Sequence, residues 1–329
     1  MRFVVIGTGS IGQRHCRNLA ALGHEVLAWD PDADRRRQAA AIAGVAARAS
    51  LAEALGAKPD AALVCAPPTL HVSLAREALG AGAHLFVEKP IAPASDEVPA
   101  LIEDAARRGK LLVVGFNLRF LPSLRRVRAL LEAGRAGRVL AARAEFGGYL
   151  PDWRPGRDYR DSYAVSAALG GGILLDAIHE LDYLGWLFGE AAEVFTTAAH
   201  VSDLAGDTED LAEVTVRFAS GVLAHVHLDY LQRAYRRNLQ VIGAAGVIVW
   251  DYPTHSVTVH GPDGPPDVED VRAGEGATND MYVEEMRHFI RCVEGRESPL
   301  VDGREALRSL RLVEAAKVSS RERRWVSLR

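Results

Sequence analysis

The sequence predicts an α/β protein: an N-terminal Rossmann-type, doubly wound parallel sheet, then an α+β domain with an open, mostly antiparallel sheet flanked by helices. Two observations predict this class. Short apolar runs alternate with helical patterns up to residue 118, which indicates a parallel sheet covered by helices on both faces. Consecutive strands with short turns then dominate, which is typical of antiparallel pairing. We therefore expect a nucleotide-binding domain over residues 1–118 and a second domain over residues 119–329.

Composition excludes several classes of protein. The chain has 329 residues, 48% of them hydrophobic, enough for two cores, and a net charge of −4 that disfavours nucleic-acid and membrane partners. Cys16, Cys65 and Cys292 are far apart and lack CxxC spacing, so they predict free thiols in a reducing compartment and no metal site. No apolar run resembles a signal peptide or a membrane span. We expect a cytoplasmic protein.

The first segment carries a dinucleotide-binding pattern. The apolar run Phe3–Ile6 predicts a buried strand that leads into the turn Gly7–Gly12, with the sequence GTGSIG. A helical pattern follows to about Leu22, and a second strand, Glu25–Trp29, ends at Asp30. A G-x-G-x-x-G turn in this strand–helix–strand setting predicts a site for a dinucleotide.

Each residue of this pattern has a distinct role. Gly7 permits the tight turn, Gly9 lets the backbone approach a pyrophosphate, and Gly12 lets the helix pack on the strand. The helix N-terminus offers N–H groups to the phosphates. Asp30 is placed to accept hydrogen bonds from the adenosine ribose, which favours NAD over NADP, whereas Arg35–Arg37 keep a 2′-phosphate open as the alternative.

The rest of the first domain continues the alternation. Ligands of such sheets bind beyond the carboxyl ends of the strands. The further predicted elements are helix Asp32–Ala43, a weak strand near Val45, a helix from Leu51, strand Ala61–Cys65, helix Leu70–Leu79, strand His84–Val87, helix Asp96–Arg108 and strand Leu111–Val114. The residues assigned to the cofactor are Gly7, Gly9, Ser10, Ile11, Gly12, Asp30, Ala66, Pro67, His71, Glu88, Lys89 and Asn117.

The second domain begins with a helix and a long strand and ends with two helices. Its predicted elements are helix Pro122–Ala133, strand Val139–Tyr149, helix Ile173–Phe188, strands Val194–Val201, Leu211–Phe218, Val222–Leu231, Asn238–Ile242, Val247–Asp251 and Val257–His260, and helices Asn279–Glu294 and Arg304–Ser320. The Gly- and Pro-rich segment Gly261–Gly276 predicts a surface loop.

Candidate catalytic residues lie in both domains. Lys89 sits at the carboxyl end of a strand, at the ligand-binding edge of the sheet. In the helix that follows Gly170–Gly172, Asp176 and His179 are three residues apart and project from the same side. This spacing suits a carboxylate that orients an imidazole base, although Asp182, one turn after His179, could brace the ring instead.

Two further groups of polar residues stand out. The loop over residues 153–163 mixes aromatic, basic and acidic side chains just before the glycine turn, which suits a polar substrate. His225, His227 and Asp229 alternate along one strand, and we interpret them as a polar sheet face rather than as metal ligands. The residues assigned to the substrate are Lys89, Arg119, Trp153, Tyr159, Tyr163, Asp176 and His179.

These motifs together resemble those of a known family. They are GTGSIG at Gly7–Gly12, PDAALVCAPPTLH at Pro59–His71, EKP at Glu88–Pro90, GFNLRF at Gly115–Phe120 and GGGILLDAIHELD at Gly170–Asp182. Almost the whole chain is similar to the glucose–fructose oxidoreductase / inositol dehydrogenase / rhizopine catabolism (Gfo/Idh/MocA) family of NAD(P)-dependent oxidoreductases.

The resemblance implies a mechanism and an assembly. Lys89, Asp176 and His179 match the family residues that flank the substrate carbon exchanging hydride with the nicotinamide. The family's second-domain sheet commonly forms dimers or tetramers. One feature departs from the family pattern, since this chain has D-x-x-H where most members have D-x-x-x-H. On a regular helix the shorter spacing separates the two side chains by about 60° instead of about 40°.

We therefore expect an NAD(H)-dependent dehydrogenase or reductase that interconverts a secondary alcohol and a ketone on a sugar, cyclitol or sugar derivative. His179 would act as general acid/base, Asp176 would orient it, and Lys89 would hold the substrate oxygen. Three alternatives remain: an NAD-dependent hydrolase that cleaves glycosides, an imine reductase, and a non-catalytic sugar sensor that binds NAD.

Overall fold

A computed structural model describes residues 1–154, 156, 158–271 and 277–328. The chain forms two compact units, one made of Met1–Asn117 and Thr278–Arg308, the other of Leu118–Ala277 and Ser309–Arg329. Among the described residues, no helix is both long enough and apolar enough to cross a membrane.

The first unit is built on a parallel sheet. Its strands follow the spatial order β3-β2-β1-β4-β5-β6, the order of a dinucleotide-binding fold. Every residue from Phe3 to Ile6 is fully buried, as expected for a central strand covered on both faces. The strands are β1 (Arg2–Ile6), β2 (Glu25–Trp29), β3 (Val45–Ala47), β4 (Ala61–Val64), β5 (His84–Glu88) and β6 (Leu112–Gly115).

The helices of this unit alternate with the strands. They are α1 (Ser10–Ala21), α2 (Ala33–Ala40), α3 (Leu51–Gly56), α4 (His71–Gly80) and α5 (Val98–Arg107). Apolar side chains of α1, such as Cys16 and Leu19, are fully buried against the sheet. The predicted α/β architecture of the first domain is confirmed.

The second unit is built on a large sheet. Neighbouring strands pair antiparallel except β7 and β10, which pair parallel. The spatial order is β14-β13-β12-β11-β7-β10-β9-β8-β15. The strands are β7 (Val139–Gly147), β8 (Ala191–Ala199), β9 (Leu211–Phe218), β10 (Leu223–Asp229), β11 (Arg236–Gly243), β12 (Val247–Asp251), β13 (Ser256–His260), β14 (Asp267–Asp270) and β15 (Val326–Ser327). The predicted mostly antiparallel sheet is confirmed.

Part of the predicted surface loop Gly261–Gly276 is a strand. β14 pairs with β13 through backbone contacts such as Val259 opposite Asp267. Its side chains are mostly acidic and exposed, so no apolar alternation marks it in the sequence. Residues 272–276 of the predicted loop lie outside the described residues.

Helices cover one face of the second sheet. α6 (Pro122–Glu132) packs on β12 and β13, and the fully buried Trp250 donates its indole N–H to the Ser123 hydroxyl at 2.9 Å. α7 (Ile173–Asp176) and α8 (Ile178–Phe188) lie on the central strands. Strand β10 alternates between buried and exposed residues, which leaves the opposite face of this sheet to solvent.

The C-terminal segment departs from the expected domain boundary, which placed all of residues 119–329 in the second domain. α9 (Ala277–Val293) belongs mainly to the first unit, and the division falls within α10 (Gly303–Glu322). The reason is hydrophobic: Met286 and Phe289 are fully buried in the same core as Phe3 and Phe86. Burying these large apolar side chains stabilises the first core, so α9 joins that unit although it comes late in the chain.

Candidate active site

The glycine turn after β1 is closely packed at two positions and open at the third. Gly7 has φ +92°, and a methyl group there would lie 2.8 Å from backbone atoms of Cys65. A methyl group at Gly12 would overlap the carbonyl oxygen of Gly7. At Gly9, in contrast, no described heavy atom lies within 4 Å of a built methyl group. The turn is therefore rigid, with its free side at Gly9.

The N-terminus of α1 is open as well. Gly9 is the N-cap residue, and within the described chain no side chain caps the helix. Ser10 is exposed and Ile11 half-buried, so the first N–H groups of the helix are left for an external acceptor. This arrangement fits the pyrophosphate of a dinucleotide, because the helix dipole and free N–H groups both favour an anion.

Asp30 supports the turn from the end of β2. Its carboxylate is buried and accepts hydrogen bonds from the backbone N–H groups of Thr8 at 2.7 Å and Asp32 at 3.0 Å. A carboxylate has about four acceptor positions, so capacity for a ribose hydroxyl remains. The Arg35 guanidinium lies 3.9 Å from this carboxylate, and Arg36 donates to the carbonyl oxygen of Asp30. The ribose contact stays a prediction.

His71, one of the residues assigned to the cofactor, is held by backbone carbonyls. Its imidazole is buried, with Nδ1 2.8 Å from the carbonyl oxygen of Pro90 and Nε2 2.8 Å from that of Ala66. Burial lowers the pKa of His71, so near neutral pH the ring is uncharged and donates to one of these carbonyls. Because its ring nitrogens lie against the carbonyls of Pro90 and Ala66, His71 ties these two segments together, and its cofactor contact stays a prediction. Pro67 is exposed.

Two buried polar side chains lie at the carboxyl ends of β5 and β6. Glu88 is buried, receives a hydrogen bond from His15 Nε2 at 2.7 Å, and accepts the backbone N–H of the half-buried Lys89 at 3.2 Å. The side-chain oxygen of Asn117 is buried and has no hydrogen-bond partner among the described residues. A ligand with a donor group would satisfy that oxygen, which fits the assignment of this edge to a cofactor.

Sequence reasoning missed Glu285 on α9. It is buried, and neither carboxyl oxygen has a hydrogen-bond partner in the described part of the chain. Burial, and then the nearby charge of Glu88, raise the pKa of Glu285 well above its usual value. Met281 and Phe289 lie four residues before and after it on the buried stripe of α9, so an acid at an apolar position is the signal that could have found it.

In the second unit, the predicted helix Ile173–Phe188 is wrong in one respect. It is interrupted at Ala177, whose ψ is +24°, so Asp176 ends α7 and His179 is the second residue of α8. Apolar periodicity continues across the interruption, which is why the sequence shows one helix. The simple helical angle between the two side chains therefore does not apply.

Asp176 contacts two tyrosines. Its Oδ1 accepts a hydrogen bond from the Tyr163 hydroxyl at 2.6 Å, and its Oδ2 accepts one from the Tyr230 hydroxyl at 3.2 Å. Tyr230 was not predicted, because it follows a strand far along the chain. His179 is 8% exposed. Its pairing with Asp176 stays a prediction.

Asp182 does not brace His179. The Arg119 guanidinium donates two hydrogen bonds to its carboxylate, at 2.9 and 2.8 Å, and the Ser309 hydroxyl donates a third at 3.0 Å. Arg119 is 3% exposed and Asp182 2%, so the pair is buried. This internal ion pair anchors α8, and the substrate contact of Arg119 stays a prediction.

The loop over residues 153–163 supplies further aromatic side chains. Trp153 packs edge-on against Tyr230, with ring centroids 5.3 Å apart. The hydroxyl of Tyr159 accepts the backbone N–H of Ala205 at 3.0 Å. Tyr159 is thus engaged by the backbone, and its substrate contact stays a prediction. Pro155 and Arg157 lie outside the described residues.

The row of polar residues on β10 forms an ion-pair network. His227 contacts Asp229 at 2.8 Å and Glu213 at 2.6 Å, and His225 contacts Glu213 at 3.0 Å. Hydrogen bonds to Asp229 and Glu213 raise the pKa of His227 to about 9. No group of three or more potential metal ligands is found within the described ranges. The arrangement fits the interpretation as a polar sheet face.

Both halves of the chain are similar to known protein families. Residues 1–116 match the family model described as "Oxidoreductase family, NAD-binding Rossmann fold", and residues 124–249 match the GFO/IDH/MocA C-terminal domain. Myo-inositol 2-dehydrogenase of Thermotoga maritima is 31% identical over 100% of this chain and 98% of its own. Inositol 2-dehydrogenase of Rhizobium meliloti is 28% identical over 100% and 99%.

A solved structure agrees with the fold. The WlbA dehydrogenase of Bordetella pertussis, in complex with NADH and UDP-GlcNAcA, superimposes with a TM-score of 0.87 at 23% identity, covering 100% of this chain and 98% of that one. Fold, open glycine turn and matches together define an oxidoreductase with NAD as its cofactor. The chain belongs to the Gfo/Idh/MocA family, and the expected family, enzyme class and cofactor are confirmed.

Proposed function

We propose that this enzyme interconverts a secondary alcohol and a ketone on a sugar, cyclitol or sugar derivative. This proposal rests on the hydroxyl and carboxylate groups around the interruption between α7 and α8. There Asp176 accepts hydrogen bonds from the hydroxyls of Tyr163 and Tyr230. Such groups suit a ligand rich in hydroxyls. Two relatives that align over the whole chain are named as inositol dehydrogenases, which supports this substrate class.

The roles follow from the chemistry of the side chains. When bound, NAD accepts or returns a hydride. The residues have to bind the polyol and move the proton of its reacting hydroxyl. We assign proton transfer to His179, because an imidazole exchanges protons near neutral pH. Asp176 orients His179, and the ammonium of Lys89 binds the reacting oxygen and stabilises negative charge that develops on it.

The test is substitution of the assigned residues. Lys89→Met and His179→Ala should each lower kcat by about 100-fold or more, the size of a general acid–base contribution, while the Kd for NAD stays nearly unchanged. Turnover is followed by NADH absorbance and NAD affinity by calorimetry. Lys110→Met and His260→Ala are matched controls, since Lys110 lies at the amino end of β6 and His260 is the exposed last residue of β13. Near-normal turnover of either assigned variant contradicts the assignment.

The substrate class needs a separate experiment. A panel of sugars, cyclitols and sugar nucleotides is screened for NADH formation, and at least one secondary alcohol should be oxidised. Release of a free sugar from a glycoside without net NADH formation would instead support the hydrolase.

We further propose that the chain works in the cytoplasm as a homodimer or homotetramer through the second sheet. Leu140 on β7 and Leu223 on β10 are 39% and 42% exposed, apolar side chains that a partner subunit would bury. The cysteines are buried free thiols, as suits a reducing compartment. Analytical ultracentrifugation tests the assembly, and Leu223→Glu should shift the protein to monomer.

A further inference from the structure

Each carboxylate oxygen of Asp176 accepts a hydrogen bond from a tyrosine hydroxyl. Tyr163 donates to Oδ1 at 2.6 Å and Tyr230 donates to Oδ2 at 3.2 Å. We call Tyr163, Asp176 and Tyr230 the tyrosine clamp. Hydrogen bonds to an ionised carboxylate are stronger than neutral ones, so two donors on opposite oxygens restrict the rotation of the group.

The first phenol is brought to Asp176 by the glycines before α7. A methyl group at Gly171 would overlap the carbonyl oxygen of Tyr163, so only glycine lets these segments approach. The N–H of Gly172 donates to the carbonyl of Ala164 at 2.9 Å, and the Thr208 hydroxyl donates to the same carbonyl at 3.1 Å. The backbone beside Tyr163 is thereby tied to the start of the helix.

The second phenol is fixed from the sheet. Tyr230 follows the last residue of β10, is 1% exposed, and donates its backbone N–H to the carbonyl of Asp210 at 2.9 Å. Trp153 packs edge-on against its ring. Burial, and then the charge of Asp176, raise the pKa of Tyr230 well above its usual value, so the hydroxyl stays a donor.

The interruption of the helix gives the clamp its importance. Asp176 is the last residue of α7, and Ala177 leaves the helical conformation. The direction of the Asp176 carboxylate is therefore not set by a continuous helix that also carries His179. It is set by the two phenols, which come from a loop before α7 and from the end of a strand.

We propose that Tyr163 and Tyr230 are positioning residues that hold the Asp176 carboxylate in the orientation in which it orients His179. This inference rests on the proposed function. It explains how the shortened D-x-x-H spacing is compatible with catalysis, because the acid is aligned by tertiary hydrogen bonds rather than by helical periodicity.

The decisive experiment compares Tyr163→Phe and Tyr230→Phe with Tyr183→Phe. Each clamp variant should lower kcat by about tenfold or more, as expected for losing a hydrogen bond to a charged group, while NAD affinity is unchanged. The loss should fall on kcat more than on the KM for the polyol, because the two phenols act through the Asp176 carboxylate. The charge of Glu209 also acts on Tyr230, and these variants leave Glu209 in place.

Tyr183 is the matched control. It is fully buried on α8, and its hydroxyl has no hydrogen-bond partner among the residues that the structure describes. Phenylalanine at position 183 should leave both kcat and KM unchanged. If the clamp variants fold and behave like Tyr183→Phe, the proposal is overturned.

A second measurement needs no substrate. Urea unfolding of Tyr230→Phe, Asp176→Asn and the double variant forms a cycle whose coupling reports the hydrogen bond itself. Non-additive changes support the clamp, and additive changes overturn it. If the wild-type protein oxidises no secondary alcohol in the panel, the proposed function fails, while this cycle still decides whether the clamp exists.

Discussion

Two glycine turns in this molecule each precede a helix, and they differ in whether the chain supplies a hydrogen-bond acceptor for the first N–H groups of that helix. At the turn Gly7–Gly12, the N-terminus of α1 has no side-chain cap among the described residues, and the space at Gly9 is open. At the turn Gly170–Gly172, the chain supplies its own acceptor: the Glu209 carbonyl oxygen receives the N–H of Ile173 at 3.1 Å, and its carboxylate receives that of Leu174 at 3.3 Å.

The difference teaches what makes a glycine turn an anion site. Glycine permits the sharp approach in both cases, but only unsatisfied N–H groups attract an external phosphate. In the first turn no side chain among the described residues caps those groups, so they remain available to an anion. In the second turn Glu209 already occupies that position, so the turn serves packing and places Asp176.

The largest expected effect is at Gly12. In Gly12→Ala the new methyl group overlaps the carbonyl oxygen of Gly7, which is backbone and cannot move aside. We expect a loss of about 2 kcal/mol or more in the free energy of unfolding, together with loss of NAD binding. Urea unfolding and calorimetric titration with NAD measure the two quantities.

Gly9→Ala is the matched contrast, since its methyl group meets open space and its φ of −65° is allowed for alanine. The apo-protein should keep its stability, whereas the Kd for NAD should rise about tenfold or more, which is about 1.4 kcal/mol, because the methyl group occupies the approach of the pyrophosphate. Unchanged NAD affinity would show that the turn is not the phosphate site.

A smaller effect on the stability is expected at a buried acid, because the surroundings of buried acids differ between the two units. Asp182 in the second unit is paired with Arg119, whereas Glu285 in the first unit is buried with its pKa raised. Because its folded-state pKa exceeds the unfolded one, Glu285 costs no stability below the unfolded pKa, and the cost grows as pH rises above it. Glu285→Gln should therefore gain stability over the wild type as pH rises from about 4.5 towards 8.

Thermal unfolding of both proteins across that pH range measures this gain, and Glu284→Gln, at the neighbouring half-buried acid of α9 that pairs with Arg291, is the control. A constant difference between Glu285→Gln and the wild type at all pH values would contradict the assignment of a raised pKa to Glu285.

The smallest effect is at Glu209. Glu209→Gln keeps the shape of the cap but removes its charge from the N-terminus of α7, which should cost about 0.5 kcal/mol at low salt. NAD affinity should not change, in contrast to Gly9→Ala. A loss of NAD affinity in Glu209→Gln would break the distinction drawn between the two turns.

Much of the fold was predictable because it depends on local pattern. Continuous apolar runs mark the strands of the parallel sheet, and the glycine spacing marks the turn before α1. β14 escaped prediction because its acidic residues pair only through the backbone. The interruption at Ala177 escaped because apolar periodicity runs through it.

The candidate site was less predictable. Lys89, Asp176 and His179 could be selected by position and by resemblance, but their hydrogen-bond partners could not. His71 contacts backbone carbonyls and Arg119 bonds to Asp182, partners that their assignment to ligands did not include. Both are buried, and burial of a polar side chain requires partners that the surrounding fold must supply.

The sequence by itself determined the alternation of strands and helices and the places where only glycine fits, because these follow from backbone sterics and from short-range apolar periodicity. Only the tertiary structure decided which groups each acid meets. Asp176 bonds to Tyr163 and Tyr230, and Asp182 bonds to Arg119 and Ser309. Most of these partners lie more than fifty residues away along the chain, beyond the reach of any local pattern, and are brought together by the packing of sheet and helices.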